Sequence, residues 1–358
     1  MKSFDIDTTR VGENCPPYIV AEILANHNGS IDEAKKIIIA AKESGANAIK
    51  LQTYTPDTMT IKSDKEDFKI KGGLWDGYTL YDLYHEAHTP YDWHKELFEL
   101  SAEIGITCFS SPFDESAIDF LEDLNAPAYK IASFEATDLS LIKYAASTKK
   151  PLIISTGMAN LDEISEIVET AKNSGCEKLV LLHCVSSYPA PVEEVNLRTI
   201  PDLKDRFNVN IGLSDHTLTN SAAIASIAIG ACLIEKHFIF SRELTGPDST
   251  FSIEPQELKE LVVSCKDAWL SLGKADYSLK NAEKENIKFR RSIYFIKDLR
   301  KGDKISPADI KKIRPGYGLP PKYIDKVLGL RLKEDVKRGT PLSWEILDID
   351  ERNFPTQQ

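Results

Sequence analysis

From Tyr18 to about Leu270 the chain alternates short apolar runs with longer stretches whose apolar residues recur every three or four positions. The runs are YIVAEI, AIKLQT, ITCFSSP, AYKIAS, PLIISTG, KLVLLHC, VNIGLSD and CLIEKHF. They read as strands buried on both faces, and the stretches between them as amphipathic helices. Helix-start chemistry recurs in between. Ser30 with Glu33 and Asn160 with Glu163 have capping-box spacing, and Thr89 stands as a cap before a first-turn proline, Pro90. Eight β–α units in succession predict a parallel (β/α)8 TIM barrel over residues 1–270. An open doubly wound sheet would share the pattern, but no GxGxxG follows the first strand.

Two features break the rhythm. A long insertion, about Thr55 to His88, leaves the C-terminal end of the second strand. Barrel active sites sit at that end, so the insertion reads either as a lid or substrate wall or as a surface excursion without function. After Leu270 a polar stretch, residues 271–290, links to a β-rich segment over residues 291–350 that repeats itself. Asp298-Leu-Arg-Lys-Gly-Asp-Lys-Ile-Ser306 matches Asp335-Val-Lys-Arg-Gly-Thr-Pro-Leu-Ser343, which predicts two similar half-modules. A domain of about 60 residues is marginal alone and is expected to dock on something.

Composition narrows the function classes. With 44 basic and 55 acidic residues the net charge is −11, which argues against a nucleic-acid or anionic-membrane partner. An anionic substrate would have to be caught by local cations. The N-terminus lacks the apolar core of a signal peptide, and Ser221 to Ile234 is too short and too rich in Ala and Ser to span a bilayer. Six cysteines without a CxxC pair read as reduced core residues, so the cytoplasm is the expected compartment.

In a barrel, function is read from polar residues at the C-terminal strand ends. Here nearly every strand supplies one: Glu22, Lys50 with Gln52, Lys130 with Ser133, Ser155, Ser186 with Tyr188, Ser214 with His216, and Lys236 with His237. Lys50 and Lys130, read as lying on neighbouring strands inside apolar runs, need partners. They form either structural ion pairs or an anion site to which Ser133, Ser155 and Ser214 add donors. His216 and His237 end adjacent strands and could share one divalent cation or be satisfied core histidines. His27 and His183 read as packing groups. His85, His88 and His94 read as solvated, with His88 able to face the pocket. Glu22 is either a partner for a lysine or a group that orients or deprotonates a water.

Together AEILANHNG, AIKLQTY, YKIAS, ISTGMA, HCVSSYP, GLSDHT, EKHF, TGPDSTFSIEP and KIRPGYG resemble the sialic acid synthase family over about Tyr18 to Leu347. The resemblance implies a (β/α)8 barrel followed by a small antifreeze-like (SAF, β-clip) domain, and an enzyme that condenses phosphoenolpyruvate with an amino-sugar aldehyde. Glu22 then resembles the catalytic carboxylate. Lys50, Lys130, Ser133, Ser155 and Ser214 resemble the phosphoenolpyruvate-binding groups. His216 and His237 match the ligands of a divalent metal (Mn2+, Mg2+ or Co2+). Gln52, Tyr188 and Asp248 match groups on the sugar side. Arg314 resembles an arginine that reaches into the partner's barrel in a domain-swapped homodimer. The insertion resembles pseudaminic acid synthases more than N-acetylneuraminate synthases, which tend to have Asn where this chain has Ser186. N-acetylneuraminate or legionaminate synthesis is the neighbouring alternative. A non-catalytic carbohydrate-binding protein would need neither Glu22 nor paired histidines.

Overall fold

The computed structural model describes residues 2–73, 75–244 and 246–349, and the chain divides into two compact units, one up to Gly273 and one from Lys274 onward. The first opens with an antiparallel hairpin, β1 (Phe4–Ile6) and β2 (Thr9–Val11). Phe4, Ile6 and Val11 pack with Tyr18, Ala48, Phe109, Ile153, Val180 and Leu233, at or near the starts of the strands that follow. The hairpin therefore plugs the N-terminal end of the barrel and leaves the other end open.

Eight parallel strands close the barrel. They are β3 (Tyr18–Glu22), β4 (Ala48–Thr53), β5 (Thr107–Pro112), β6 (Tyr129–Ile131), β7 (Leu152–Ser155), β8 (Leu179–Cys184), β9 (Asn210–Asp215) and β10 (Leu233–His237). They follow chain order, and β10 pairs with β3 to complete the ring. Side chains alternate across each strand. Ile19, Ala21, Ile49, Leu51, Ile131 and Ile154 belong to the outer core beneath the helices, each large aliphatic side chain contributing ~1.5–3 kcal/mol by leaving water. The inward set is apolar near the plug and turns polar at the open end, with Glu22, Lys50, Lys130, Ser155, Ser214 and Glu235 all buried. That switch along the barrel axis is what makes a site of one end.

The α-helices of the first unit, in chain order, are α1 (Ile31–Glu43), α2 (Pro56–Met59), α3 (Leu80–Ala87), α4 (Tyr91–Ile104), α5 (Glu115–Asp123), α6 (Leu139–Ser147), α7 (Leu161–Asn173), α8 (Thr199–Phe207), α9 (Ser221–Ala228) and α10 (Pro255–Leu272). Asn160 forms the full capping box expected: its side chain accepts from Glu163 N–H at 3.0 Å and Glu163 answers the Asn160 N–H at 2.7 Å. Ser30 caps one way only, at 3.4 Å. The cap expected of Thr89 does not form. Helix α4 begins after Pro90 without a side-chain cap, and the buried Thr89 hydroxyl lies 3.4 Å from His27 Nε2 instead. His94, expected in solvent, is fully buried. Its ring nitrogens lie 2.9 Å from Thr53 Oγ1 and 3.0 Å from Pro90 O, because α4 packs that face on the barrel. Among the described residues no helix is long and apolar enough to cross a membrane, and all six cysteines are free thiols.

In the second unit an exposed stretch and a 3-10 helix (Asn281–Phe289) precede the antiparallel pair β11 (Ser292–Phe295) and β12 (Ile310–Ile313). Its core gathers Ile293, Phe295, Ile305, Leu332, Val336, Leu342, Trp344 and Leu347. The sequence repeat is a structural one. Leu299 and Val336 exchange backbone hydrogen bonds at 3.0 and 2.9 Å. Asp298 accepts from Arg338 N–H at 2.8 Å, and Asp335 from Lys301 N–H at 2.7 Å. Each half-module thus caps the turn of the other. Asp350, the last residue of the expected small domain, lies outside the described residues.

Candidate active site

The open end of the barrel holds a cavity of about 430 Å³, within the range of small-molecule sites. It is lined by Lys50, Gln52, Lys130, Ser133, Ser155, Ser186, Tyr188, Ser214, His216, His237 and Asp248, all singled out in the sequence. They converge because parallel strands in register bring their C-terminal ends to one level. In the ladder His237 stands beside Glu22 and Glu22 beside Lys50. Glu22 does not line the cavity. It is buried behind Lys50, whose Nζ lies 2.7 Å from Glu22 Oε2.

Lys50 and Lys130 are not on neighbouring strands; β5 runs between β4 and β6. They meet by reaching inward to a shared carboxylate, Glu235, at 3.0 and 3.5 Å. The expected ion pairs are therefore present, and the two lysines that make them also line the cavity. Ser214 Oγ also donates to Glu235, at 3.1 Å. Burial pushes the Glu235 carboxyl up, but Lys130 and Lys50 outweigh it and hold the group well below the usual range, at about 2. Burial pulls Lys50 below the ordinary lysine value, opposed by Glu235 and reinforced by Lys130. Glu235 went unnoticed in the sequence beside Lys236 and His237. Strand alternation could have found it, being two residues from the inward His237.

The two histidines sit 5.4 Å apart, ring centre to ring centre. His216 Nδ1–H donates to Val185 O at 2.8 Å, which leaves Nε2 with its lone pair. His237 Nδ1 is buried without a hydrogen-bond partner. Burial keeps both neutral, His216 falling to about 4 and His237 well below its ordinary value with His216 adding repulsion. Neutral imidazoles with free lone pairs facing one cavity fit a divalent cation. Among the described residues no third His, Cys, Asp or Glu completes a protein-only cage, so open positions would remain for substrate or water.

Several buried polar atoms of the cavity lining have no protein partner and are open to a ligand or to water. Ser155 Oγ, Glu135 Oε2, Glu235 Oε2 and Asp248 Oδ2 are buried without hydrogen-bond partners, and their residues all line the cavity. Burial raises Asp248 and Glu135 to about 7 each; Glu135 was also missed in the sequence. A Cβ at Gly157 would lie 2.7 Å from Cys184 Sγ, 2.8 Å from Ser133 Oγ and closer still to Ser186 Oγ, so any larger residue there has to displace those side chains.

The insertion forms one wall, through Met59, Trp75, Leu83, Tyr84 and Ala87. Trp75 Nε1–H donates to Pro247 O at 3.3 Å, fastening it to the loop that carries Asp248. With Tyr54 and Phe113 this side is largely apolar, opposite the charged floor. The Tyr188 ring lies 4.4 Å from that of His216, tilted 37° to it. His27 and His183 are packing groups as expected, His183 with a 2.6 Å contact to Val195 O. His88 does not line the cavity; its ring stacks on that of His85, 5.7 Å apart centre to centre. Arg314 is an exposed residue of the second unit, following β12, and makes no ion pair among the described residues.

A closed parallel barrel whose C-terminal mouth gathers two buried lysines held by carboxylates, two neutral imidazoles and an apolar wall has the build of a barrel enzyme. The chain belongs to the NeuB family, whose model matches residues 37–277, and carries a SAF domain over residues 290–347. It is 46% identical to the pseudaminic acid synthase of Campylobacter jejuni, over 91% of this chain and 95% of that protein. It is 40% identical to the N,N'-diacetyllegionaminic acid synthase of Legionella pneumophila, over 94% and 96%. Among solved structures, the N-acetylneuraminic acid (sialic acid) synthetase of Leptospira borgpetersenii, in complex with citrate, superposes with a TM-score of 0.72 at 30% identity, covering 81% of this chain and 96% of that one.

Proposed function

We propose that the chain condenses phosphoenolpyruvate with 2,4-diacetamido-2,4,6-trideoxy-altrose and water, giving pseudaminic acid and phosphate. One observation carries the reading: the cavity joins a floor of Lys50, Lys130, Ser133, Ser155 and Ser214 to an apolar wall from the insertion. The floor suits a phosphate and a carboxylate. The wall suits a sugar with a methyl in place of a terminal hydroxyl, and Ser186 leaves room for a second acetamido group. Similarity to the Campylobacter enzyme supports the same choice.

Carbon 3 of phosphoenolpyruvate attacks the aldehyde carbon, and the aldehyde oxygen takes up a proton. A divalent cation (Mn2+, Mg2+ or Co2+) held by His216 and His237 supplies, when bound, Lewis-acid polarisation of that aldehyde. Water adds at carbon 2 and the bond from carbon 2 to the phosphate oxygen breaks. Lys50 and Lys130 stabilise the departing phosphate. Glu22, buried behind Lys50 and 2.7 Å from its ammonium, orients the water or receives its proton by way of Lys50. Gln52, Tyr188 and Asp248 hold the sugar. Phe134, Met158, Val192, Leu218 and Phe240 leave an exposed apolar rim on the loops after β6 to β10. That rim supports a domain-swapped homodimer in which the partner's SAF domain covers the mouth and brings in its Arg314. The cytoplasm is the compartment proposed, since phosphoenolpyruvate is made there.

The test is turnover with phosphoenolpyruvate, Mn2+ and a panel of 2-acetamido and 2,4-diacetamido hexoses, with mass spectrometry of the product. Turnover is expected only with the 2,4-diacetamido-trideoxy-altrose. Preferred use of N-acetylmannosamine or of the legionaminate precursor overturns the substrate assignment.

A further inference from the structure

The last rung shared by β9 and β10 pairs Asp215 with Lys236. Their neighbours Ser214, His216, Glu235 and His237 line the cavity, so by alternation both point to the outside of the barrel. Each side chain is only 1% exposed. The Lys236 ammonium donates to Asp215 Oδ2 at 2.7 Å, to Thr217 O at 2.7 Å and to Thr219 O at 3.1 Å, using all three of its N–H groups. Asp215 Oδ1 accepts from Thr217 N–H at 3.0 Å, and Thr217 Oγ1 donates to Thr219 O at 3.0 Å.

The two residues flanking His216 are thus gripped by one ammonium, and that ammonium belongs to the residue before His237. Beyond this rung β9 and β10 no longer pair with each other: His237 stays in register with Glu22 of β3, and His216 O accepts from Ala190 N–H at 3.0 Å. Buried ion pairs are often replaceable by apolar residues at no loss of stability, so folding alone does not account for this one. We propose that Asp215 and Lys236 are a positioning pair that fixes His216 against His237 for a divalent cation. Neither side chain touches the cation; the pair acts through the backbone on either side of His216. The inference rests on the two-histidine metal reading.

Lys236→Met releases the backbone grip but leaves Asp215 unpaired. Asp215→Asn combined with Lys236→Met leaves no buried charge and keeps an acceptor for Thr217, so it carries the result if the single variant fails to fold. Mn2+ affinity is measured by electron paramagnetic resonance of the free ion, on protein held below its melting temperature. The expected result is about 10- to 100-fold weaker binding, the scale for groups that orient metal ligands, with activity recovered in part by excess Mn2+. A merely structural pair would lower the melting temperature of the metal-free protein without moving Mn2+ affinity. Unchanged affinity in the folded double variant, while wild type binds, overturns the positioning role alone. A wild type that binds no Mn2+ overturns the metal reading and the pair's role with it.

Discussion

Asp248→Asn isolates one buried carboxyl whose titration should be visible in stability. Asp248 is 2% exposed, its Oδ2 has no hydrogen-bond partner, and burial raises it from 3.8 to about 7 against a smaller pull from the Ala25 backbone. Between those values the folded protein keeps a proton that the unfolded chain has lost. This contribution is therefore fully present below the unfolded value and is lost as pH rises through about 7. One unit of pKa corresponds to about 1.4 kcal/mol, so going from about pH 5 to about pH 8 should cost the wild type about 3 kcal/mol at this residue. Asn has no proton to lose, and its own unpaired amide costs the same at every pH. Glu135, raised in the same direction, is common to both proteins and cancels. Urea unfolding of the metal-stripped proteins across this range gives the comparison, provided the m-values agree. The variant should gain on the wild type by about 3 kcal/mol as pH rises. A stability difference that stays flat with pH would show that Asp248 is ionised at both ends, and that solvent or a cation path reaches it.

Glu22→Gln should still bind phosphoenolpyruvate but release phosphate about 10²–10⁴-fold more slowly, the scale of a lost proton-transfer group; near-normal turnover would leave Glu22 as a structural partner of Lys50. Chelation should abolish activity and Mn2+, Mg2+ or Co2+ restore it, while His216→Ala loses bound metal and turnover but keeps its circular dichroism; full activity in metal-stripped protein sinks the two-histidine assignment. Arg314→Ala should lower the rate about 10- to 150-fold, equivalent to a charge-assisted hydrogen bond of roughly 1.5–3 kcal/mol. Isolated mixed dimers of Glu22→Ala and Arg314→Ala chains should recover towards half of wild-type activity, because one shared site is then intact; no gain over the parent variants excludes sharing.

The sequence by itself pointed to the barrel: eight apolar runs of strand length separated by helical periodicity suit a barrel or an open sheet, and no GxGxxG follows the first strand to favour the sheet. It also marked most of the cavity wall, because a lysine, serine or histidine at the end of an apolar run stands out against its neighbours. Glu235 escaped because it lies among three polar residues, Glu235-Lys236-His237, and only the pleat of β10 decides which of them face inward. Tertiary closure alone made Lys50 and Lys130 partners, through a carboxylate reached from strands that do not touch. It alone buried His94, by laying α4 on the barrel, and turned Thr89 from a cap into a neighbour of His27. Local pattern records which residues prefer the interior. Which of them meet there is set by the ring of strands, since a cross-barrel distance is a property of the closed sheet and of no single segment.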